Sequence, residues 1–339
     1  MMTFITEVLK TKLPDIAEVE IFLFEHCNLR CVHCFQDHEA TVGMSEELIL
    51  MKADMTADFM ARNQLKEFTL NVMGGELFQD HLLDEYLPMY SKFVDRVRKA
   101  AETLGKKVHL NFVTNLLSTR PDVMGWLKKH DLMVSTSYDP TGRFNPSQFE
   151  LFKKNIEVYR DRISIITGVA TKQNISAIIK GDEYFTYLYD NFPFYWDQLT
   201  PGPTVPKSLM PKQSELLAFL KHLIDNYPKC LNVTAYTEPK NRMMSCPSVN
   251  KLLIEADNHT SGCRIKKHKE QSIIFISPVK DTNDELIENF VSKYDCLSCE
   301  YFNTCTFSCF VKHDWKQLIE DVDGCLYKHA FQHAETKTK

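Results

Sequence analysis

The chain has 339 residues, 44% hydrophobic and 25% charged, with a formal net charge of −5. This length exceeds what one core usually spans, the composition excludes a disordered chain, and the acidic balance gives no basic footprint for nucleic acid. No run approaches the roughly 20 apolar residues that cross a bilayer, and the charge-interrupted opening lacks the apolar stretch of a signal peptide, so a cytoplasmic protein with no membrane role is expected. In that reducing compartment eleven cysteines read as metal or redox ligands rather than disulfides. Three lie at 27, 31 and 34 and the other eight between 230 and 325, which implies two sites.

Residues 19–25, VEIFLFE, have the β-branched and aromatic content of a buried strand, and the cysteines of EHCNLRCVHCFQ follow on a polar loop. A loop leaving the C-terminal end of a strand is where α/β barrels keep their chemistry. Three thiolates can hold three corners of a [4Fe–4S] cube and leave one iron open to a ligand. The same thiolates with His26 or His33 could instead make a tetrahedral zinc site, although structural zinc usually draws on two separated pairs. A C-x3-C-x2-C loop after a first strand resembles the signature of radical S-adenosylmethionine (SAM) enzymes. That resemblance implies that Cys27, Cys31 and Cys34 bind a [4Fe–4S] cluster, whose open iron takes the amino and carboxylate groups of SAM. His33 stands where the family commonly has an aromatic residue near the adenine.

The following segments alternate helical and strand periodicity. SEELILMKADMTADFMARN reads as a helix, and EFTLNVMGGE (67–76) as a strand ending in two glycines and an acid. Glycines let a ligand approach the backbone, and a carboxylate can accept hydrogen bonds from an ammonium group; a tight turn explains the glycines equally well. Its place resembles the family's GGE motif, which implies that Gly74, Gly75 and Glu76 hold the methionyl amine of SAM. After the helical run DHLLDEYLPMYSKFVDRVRKAAETL, KVHLNFVTN (107–115) resembles the strand ending in TNG, with Asn115 near SAM and Leu116 in place of glycine. PDVMGWLKKH is helical, and DLMVSTSYDP (131–140) resembles a strand ending in S-x-D-G, which implies Ser137 and Asp139 near the ribose. An arginine that relatives place about ten residues later is replaced by Phe149, so another group must meet the SAM carboxylate. SQFELFKKNIEVYRD is helical, RISIITGVATKQN (162–174) resembles the fifth strand with Asn174 at its end, ISAIIKGDEYFTYLYDN reads as a helical run, and FYWDQLTP as a sixth strand whose Asp197 is a candidate base. The βα order, repeated about six times with right-handed crossovers, predicts an α/β fold: a partial (β/α)6 TIM-type barrel over 1–205.

TPGPTVPKSLMP (200–211) has the composition of a linker, and with the helix ELLAFLKHLIDNY it makes a bridging segment over 206–245. From 246 to 339 the chain is cysteine-rich with few long periodic runs, and its core is expected to be inorganic. KLLIEADNHTSGC reads as a hairpin delivering Cys263, and CLSCEYFNTCTFSC has C-x2-C-x5-C-x3-C spacing. Zinc knuckles could use the same cysteines. The run resembles the seven-cysteine SPASM extension of radical SAM peptide-modifying enzymes. That resemblance implies two auxiliary [4Fe–4S] clusters, three in all: Cys246, Cys263 and Cys309 for one, Cys296, Cys299, Cys305 and Cys325 for the other. Cys230 either closes the first or is a buried thiol. Asn258 stands where relatives often have glycine, and Arg264 where those that oxidise a sulfatase Cys or Ser have an acid.

The resemblance implies that SAM is cleaved to a 5′-deoxyadenosyl radical that abstracts a substrate hydrogen, with oxidative modification of a ribosomally made peptide: a crosslink, a thioether or a dehydrogenation. The alternatives are a radical SAM epimerase or dehydrogenase of a small molecule, or a non-catalytic iron–sulfur protein. Expected partners are the precursor peptide or small-molecule substrate, an external electron donor such as flavodoxin or ferredoxin, and a separate peptide-recognition protein.

Overall fold

The computed structural model describes residues 16–34, 36, 44–199, 205–238, 251–261, 282–305 and 319–338. Six parallel strands alternate with helices: β1 (Ile16–Phe22), α1 (Glu46–Arg62), β2 (Glu67–Met73), α2 (Leu83–Thr103), β3 (Lys107–Val113), α3 (Asp122–Lys129), β4 (Met133–Ser137), α4 (Pro146–Val158), β5 (Ile163–Ala170), α5 (Lys172–Ile179), α6 (Glu183–Asn191) and β6 (Phe194–Gln198). The sheet curls into a half-barrel, its order running β6-β5-β4-β3-β2-β1 and then on to two later strands, β7 (Lys251–Ile254) and β8 (Thr260–Ser261).

Period-2 alternation decides which face carries the core. In β2, Phe68, Leu70 and Val72 are fully buried while Glu67, Thr69, Asn71 and Met73 are half-buried. In β6, Phe194 and Trp196 are buried and Tyr195 and Asp197 exposed. The uncovered face is polar. Asn71 donates to Glu18 (3.1 Å), Asn111 to Asn71 (3.1 Å) and Ser135 (2.9 Å), and Lys251 to Glu18 (3.2 Å) and Glu20 (2.8 Å). This chain of bonds spans β7 to β4 and faces the place where a barrel holds its substrate.

Helix starts follow local chemistry. Ser45 caps α1, Asn145 and Gln148 form a capping box on α4, and Thr171 caps α5. The helical run over 175–191 is two helices in the structure. Gly181 takes φ +91° and Asp182 caps a new helix by accepting from the Phe185 amide. The turn breaks the hydrogen-bond ladder although apolar periodicity runs through it.

The expected C-terminal hairpin is present, and it continues the barrel sheet. β7 pairs in parallel with β1, and β8 returns antiparallel. Lys52 of α1, fully buried, donates to the carbonyls of Glu255 (2.6 Å) and Ala256 (3.2 Å) and to Asn258 Oδ1 (2.5 Å). Asn258 has φ +66°, a conformation asparagine tolerates better than most residues, so its replacement of glycine leaves the turn intact. The bridging helix α7 (Gln213–Asn226) packs against α5 and the terminal helix α9 (Leu326–Thr338), and α8 (Thr282–Lys293) precedes the turn at Cys296. Among the described residues no helix is long and apolar enough to cross a membrane.

Candidate cluster and cofactor site

The cysteine loop leaves the C-terminal end of β1 and is bound along its length to the turn after β2. Leu23 N–H donates to Met73 O (2.8 Å), Gly75 N–H to Phe24 O (2.8 Å) and Glu76 N–H to His26 O (3.0 Å). Gln36 Nε2 donates to Gly74 O (2.7 Å). A Cβ on Gly75 would lie 1.8 Å from His26 O, and one on Gly74 2.8 Å from Phe24 O. The glycines are therefore required by the approach of the loop's own backbone. Glu76 is buried, and its carboxylate accepts from Phe78 N–H (2.9 Å), Thr114 Oγ1 (2.7 Å) and Asn115 N–H (2.5 Å). Burial pushes its pKa up against those hydrogen bonds.

Cys27, Cys31 and Cys34 are half-buried. Burial pushes the Cys27 thiol up to about 12, with Glu76 and the other two thiols adding to the shift. Burial raises Cys31 too, and Arg143 opposes it. Leu29 N–H points at Cys27 Sγ (3.4 Å), as a thiolate ligand requires. Cys27 and Cys31 resist ionisation and need a cation to become thiolates, and with Cys34 on the same short loop the donor set fits a metal group.

Across the loop, three buried polar groups lie together. His33 Nε2 is 3.7 Å from Asp139 Oδ2, and Arg143 Nη1 is 3.5 Å from the same oxygen and 3.8 Å from Cys31 Sγ. Three of their atoms have no hydrogen-bond partner: His33 Nδ1, Asp139 Oδ2 and Arg143 Nε. Burial lowers the His33 pKa, and Asp139 opposes that shift. Buried polar atoms without partners mark places that a ligand or water fills, and a polar molecule beside the thiols fits here.

Asn174 lies in this region, but its amide is saturated. Nδ2 donates to Asp139 Oδ1 (3.0 Å) and Val169 O (2.8 Å), and Oδ1 accepts from Thr141 N–H (3.1 Å) and Oγ1 (2.7 Å). It holds Asp139 and has no valence left for a ligand. Ser137 pairs with Thr167 (3.0 Å) at the end of β4. Asn115 Nδ2 donates to Asn28 Oδ1 (2.6 Å), tying the end of β3 to the cysteine loop. Leu116 takes φ +58°, so the backbone keeps a glycine-like turn without glycine. Phe149 belongs to an aromatic cluster with Tyr138, Phe144 and Tyr184. Sequence reading missed Arg143, although DPTGRF places it in the loop after β4 that also carries Asp139. Asp197 is exposed on the uncovered face, next to Gln198, which donates to Tyr327 OH (2.7 Å).

Cys296, Cys299, Cys305 and Cys325 line one cavity of about 150 Å³, with Tyr301, Tyr327 and Phe331 among its walls. Burial, then the charges of Cys325, Cys305 and Cys299, push Cys296 up to about 12. Backbone amides of Lys328 and Tyr327, at the start of α9, point at Cys325. Four thiols around one cavity fit a cluster as their shared ligand. Cys230 differs: it is fully buried in the apolar core, and burial alone raises it to about 12. Cys246, Cys263, Cys309 and Arg264 lie outside the described residues.

No protein-family model matches the chain, and no curated protein matches it. Solved structures do. Native anSMEcpe, a SPASM-domain radical SAM maturase solved with AdoMet (SAM) and the Cp18Cys peptide, is 17% identical with a TM-score of 0.69, covering 95% of this chain and 97% of that one. SuiB of Streptococcus suis, a peptide-modifying radical SAM enzyme solved with its precursor peptide SuiA, is 16% identical with a TM-score of 0.57, covering 94% and 78%. These likenesses establish the fold, a partial TIM-type barrel of the radical SAM kind.

Proposed function

We propose that this chain, with the fold of radical SAM maturases, is itself a radical SAM enzyme that modifies a peptide. One observation carries the reading: three clustered thiols, two of them pushed up by burial, lie beside three buried polar atoms that lack partners, on a loop locked by the GGE turn. Cys27, Cys31 and Cys34 would hold a [4Fe–4S] cluster, and His33, Ser137 and Asp139 would meet the adenosine and amino-acid parts of SAM. Glu76 and Asn115 act one step removed, fixing the loop, and Asn174 orients Asp139. Cys296, Cys299, Cys305 and Cys325 would hold an auxiliary cluster, with Cys246, Cys263 and Cys309 assigned to another. Cys230 is a packing residue of the core.

When bound, the cluster and SAM supply one-electron reduction of a sulfonium and a 5′-deoxyadenosyl radical able to remove a substrate hydrogen. The chain's own groups do the rest. The GGE brace keeps the thiols in register, and the polar uncovered face of β1 to β7 receives a substrate rich in hydrogen-bonding groups. Asp197 stands on that face as the candidate base for a proton released on oxidation. A peptide is the substrate class favoured, because both structural relatives were solved with peptides bound. An external one-electron donor is required, and oxidative outcome follows if the auxiliary clusters accept the substrate's electron.

The test is anaerobic reconstitution with iron and sulfide analysis and spectroscopy with and without SAM. The triple variant Cys27→Ala, Cys31→Ala, Cys34→Ala should lose about four iron atoms per chain, the SAM-dependent change and deoxyadenosine formation. Retention of the SAM response in that variant overturns the proposal.

A further inference from the structure

We infer that Arg143 tunes the metal centre at Cys27, Cys31 and Cys34: its guanidinium donates to the Cys31 sulfur and raises the reduction potential of a cluster held there, in the protein free of SAM. The inference deepens the reading above and rests on it. Gly142 takes φ +73° and its carbonyl accepts from Val32 N–H of the cysteine loop (3.1 Å). A Cβ on Gly142 would meet Val32 Cγ2 at 2.5 Å, so the loop after β4 is pressed onto the cysteine loop and delivers the next residue, Arg143, to the thiols.

The side chain is only 10% exposed and its guanidinium lies over the Phe144 ring, 5.1 Å from the centroid. That ring fixes the plane of the fork. From there Nη1 donates to Cys31 Sγ at 3.8 Å, a long bond of the kind that sulfur's radius allows, and lies 3.5 Å from Asp139 Oδ2. Cys27 receives a neutral donor, the Leu29 N–H at 3.4 Å. Arginine does not lose its proton in a protein, so a permanent positive charge stands beside one ligand sulfur. Reducing the cluster moves one electron from the external donor onto it; no bond forms or breaks, and the added negative charge is shared with the ligand sulfurs. Net charge, hydrogen bonds to the sulfurs and exposure to solvent are what set a cluster's potential, and Arg143 supplies the first two in a place where solvent screens little. A guanidinium there stabilises the more negative, reduced state more than the oxidised one. The electron is easier to add with Arg143 in place. A residue that only shaped the loop would leave the potential where it is.

The experiment is an anaerobic redox titration of the reconstituted full chain without SAM, followed by electron paramagnetic resonance, for wild type, Arg143→Met, Arg143→Gln and Arg143→Lys. The N-terminal signal is the one absent from the triple cysteine variant, and the signal that remains in that variant, from the C-terminal cysteines, is the internal control. Both neutral variants should shift the N-terminal reduction equilibrium toward the oxidised state by about tenfold or more, which is about 59 mV for one electron, and should leave the control signal in place. Arg143→Lys, which keeps the charge without the fork, should fall by less. A neutral variant that loads iron and keeps the wild-type potential overturns the inference, and so does an equal fall at both sites or a lysine variant that falls as far as the neutral ones. One neutral variant that loads iron is enough for the comparison. A reconstituted wild type with no signal at the N-terminal thiols would refute the radical SAM reading itself, a distinct outcome.

Discussion

Gly75→Ala tests whether the GGE turn acts through the cysteine loop. The new Cβ would sit 1.8 Å from His26 O and 2.2 Å from its carbonyl carbon, against roughly 3.5 Å for an ordinary contact. Relief needs the segments to part by about 1.5 Å. At that separation the bonds Gly75 N–H to Phe24 O (2.8 Å) and Glu76 N–H to His26 O (3.0 Å) pass out of range. Two lost bonds with partly buried partners cost about 3 kcal/mol. Gly75 does not use a positive φ, so alanine carries no conformational penalty there and, through the unfolded chain, is if anything favoured; the loss is steric. Denaturant unfolding should show the destabilisation, and iron analysis should show reduced loading at the N-terminal thiols with the C-terminal site retained. A variant with wild-type unfolding and wild-type iron content would show that the loop and turn do not constrain each other as described.

Asn174→Asp replaces two donors with a carboxylate against Asp139 Oδ1, now 3.0 Å from Asn174 Nδ2; a loss of about 3 kcal/mol or more is expected on thermal unfolding, whereas a direct ligand contact would leave stability alone and weaken only SAM binding. Lys52 is pushed down by burial from 10.5 to about 8. The unfolded chain then binds more protons between pH 8 and 10.5, so this residue makes stability rise with pH across that window, by about 3 kcal/mol; the difference between wild type and Lys52→Met in pH-dependent unfolding checks it, and a flat difference refutes it. Cys230→Ala should cost about 1–2 kcal/mol without changing iron or sulfide content, while loss of iron would make this cysteine a ligand after all.

The departures from family motifs show where sequence reading stops. Leu116 and Asn258 replace expected glycines, yet both adopt positive φ, so the turns persist at the expense of some strain. Asn174, which the resemblance puts near SAM, bonds Asp139, Val169 and Thr141 in the structure, contacts no spacing rule predicts.

By itself the sequence determined what depends on local spacing: the thiol loop after a strand, the strand and helix alternation, the βα order that closes a half-barrel, and the second group of cysteines. Periodicity and short-range hydrogen bonding act within a few residues, and they are written in the chain. Only the tertiary structure decided what crosses long separations. Arg143 reaches Cys31 across 112 residues, Lys52 holds a hairpin some 200 residues away, and β7 joins β1. Such contacts are selected by the packing of the whole sheet, which brings together groups that no local pattern connects.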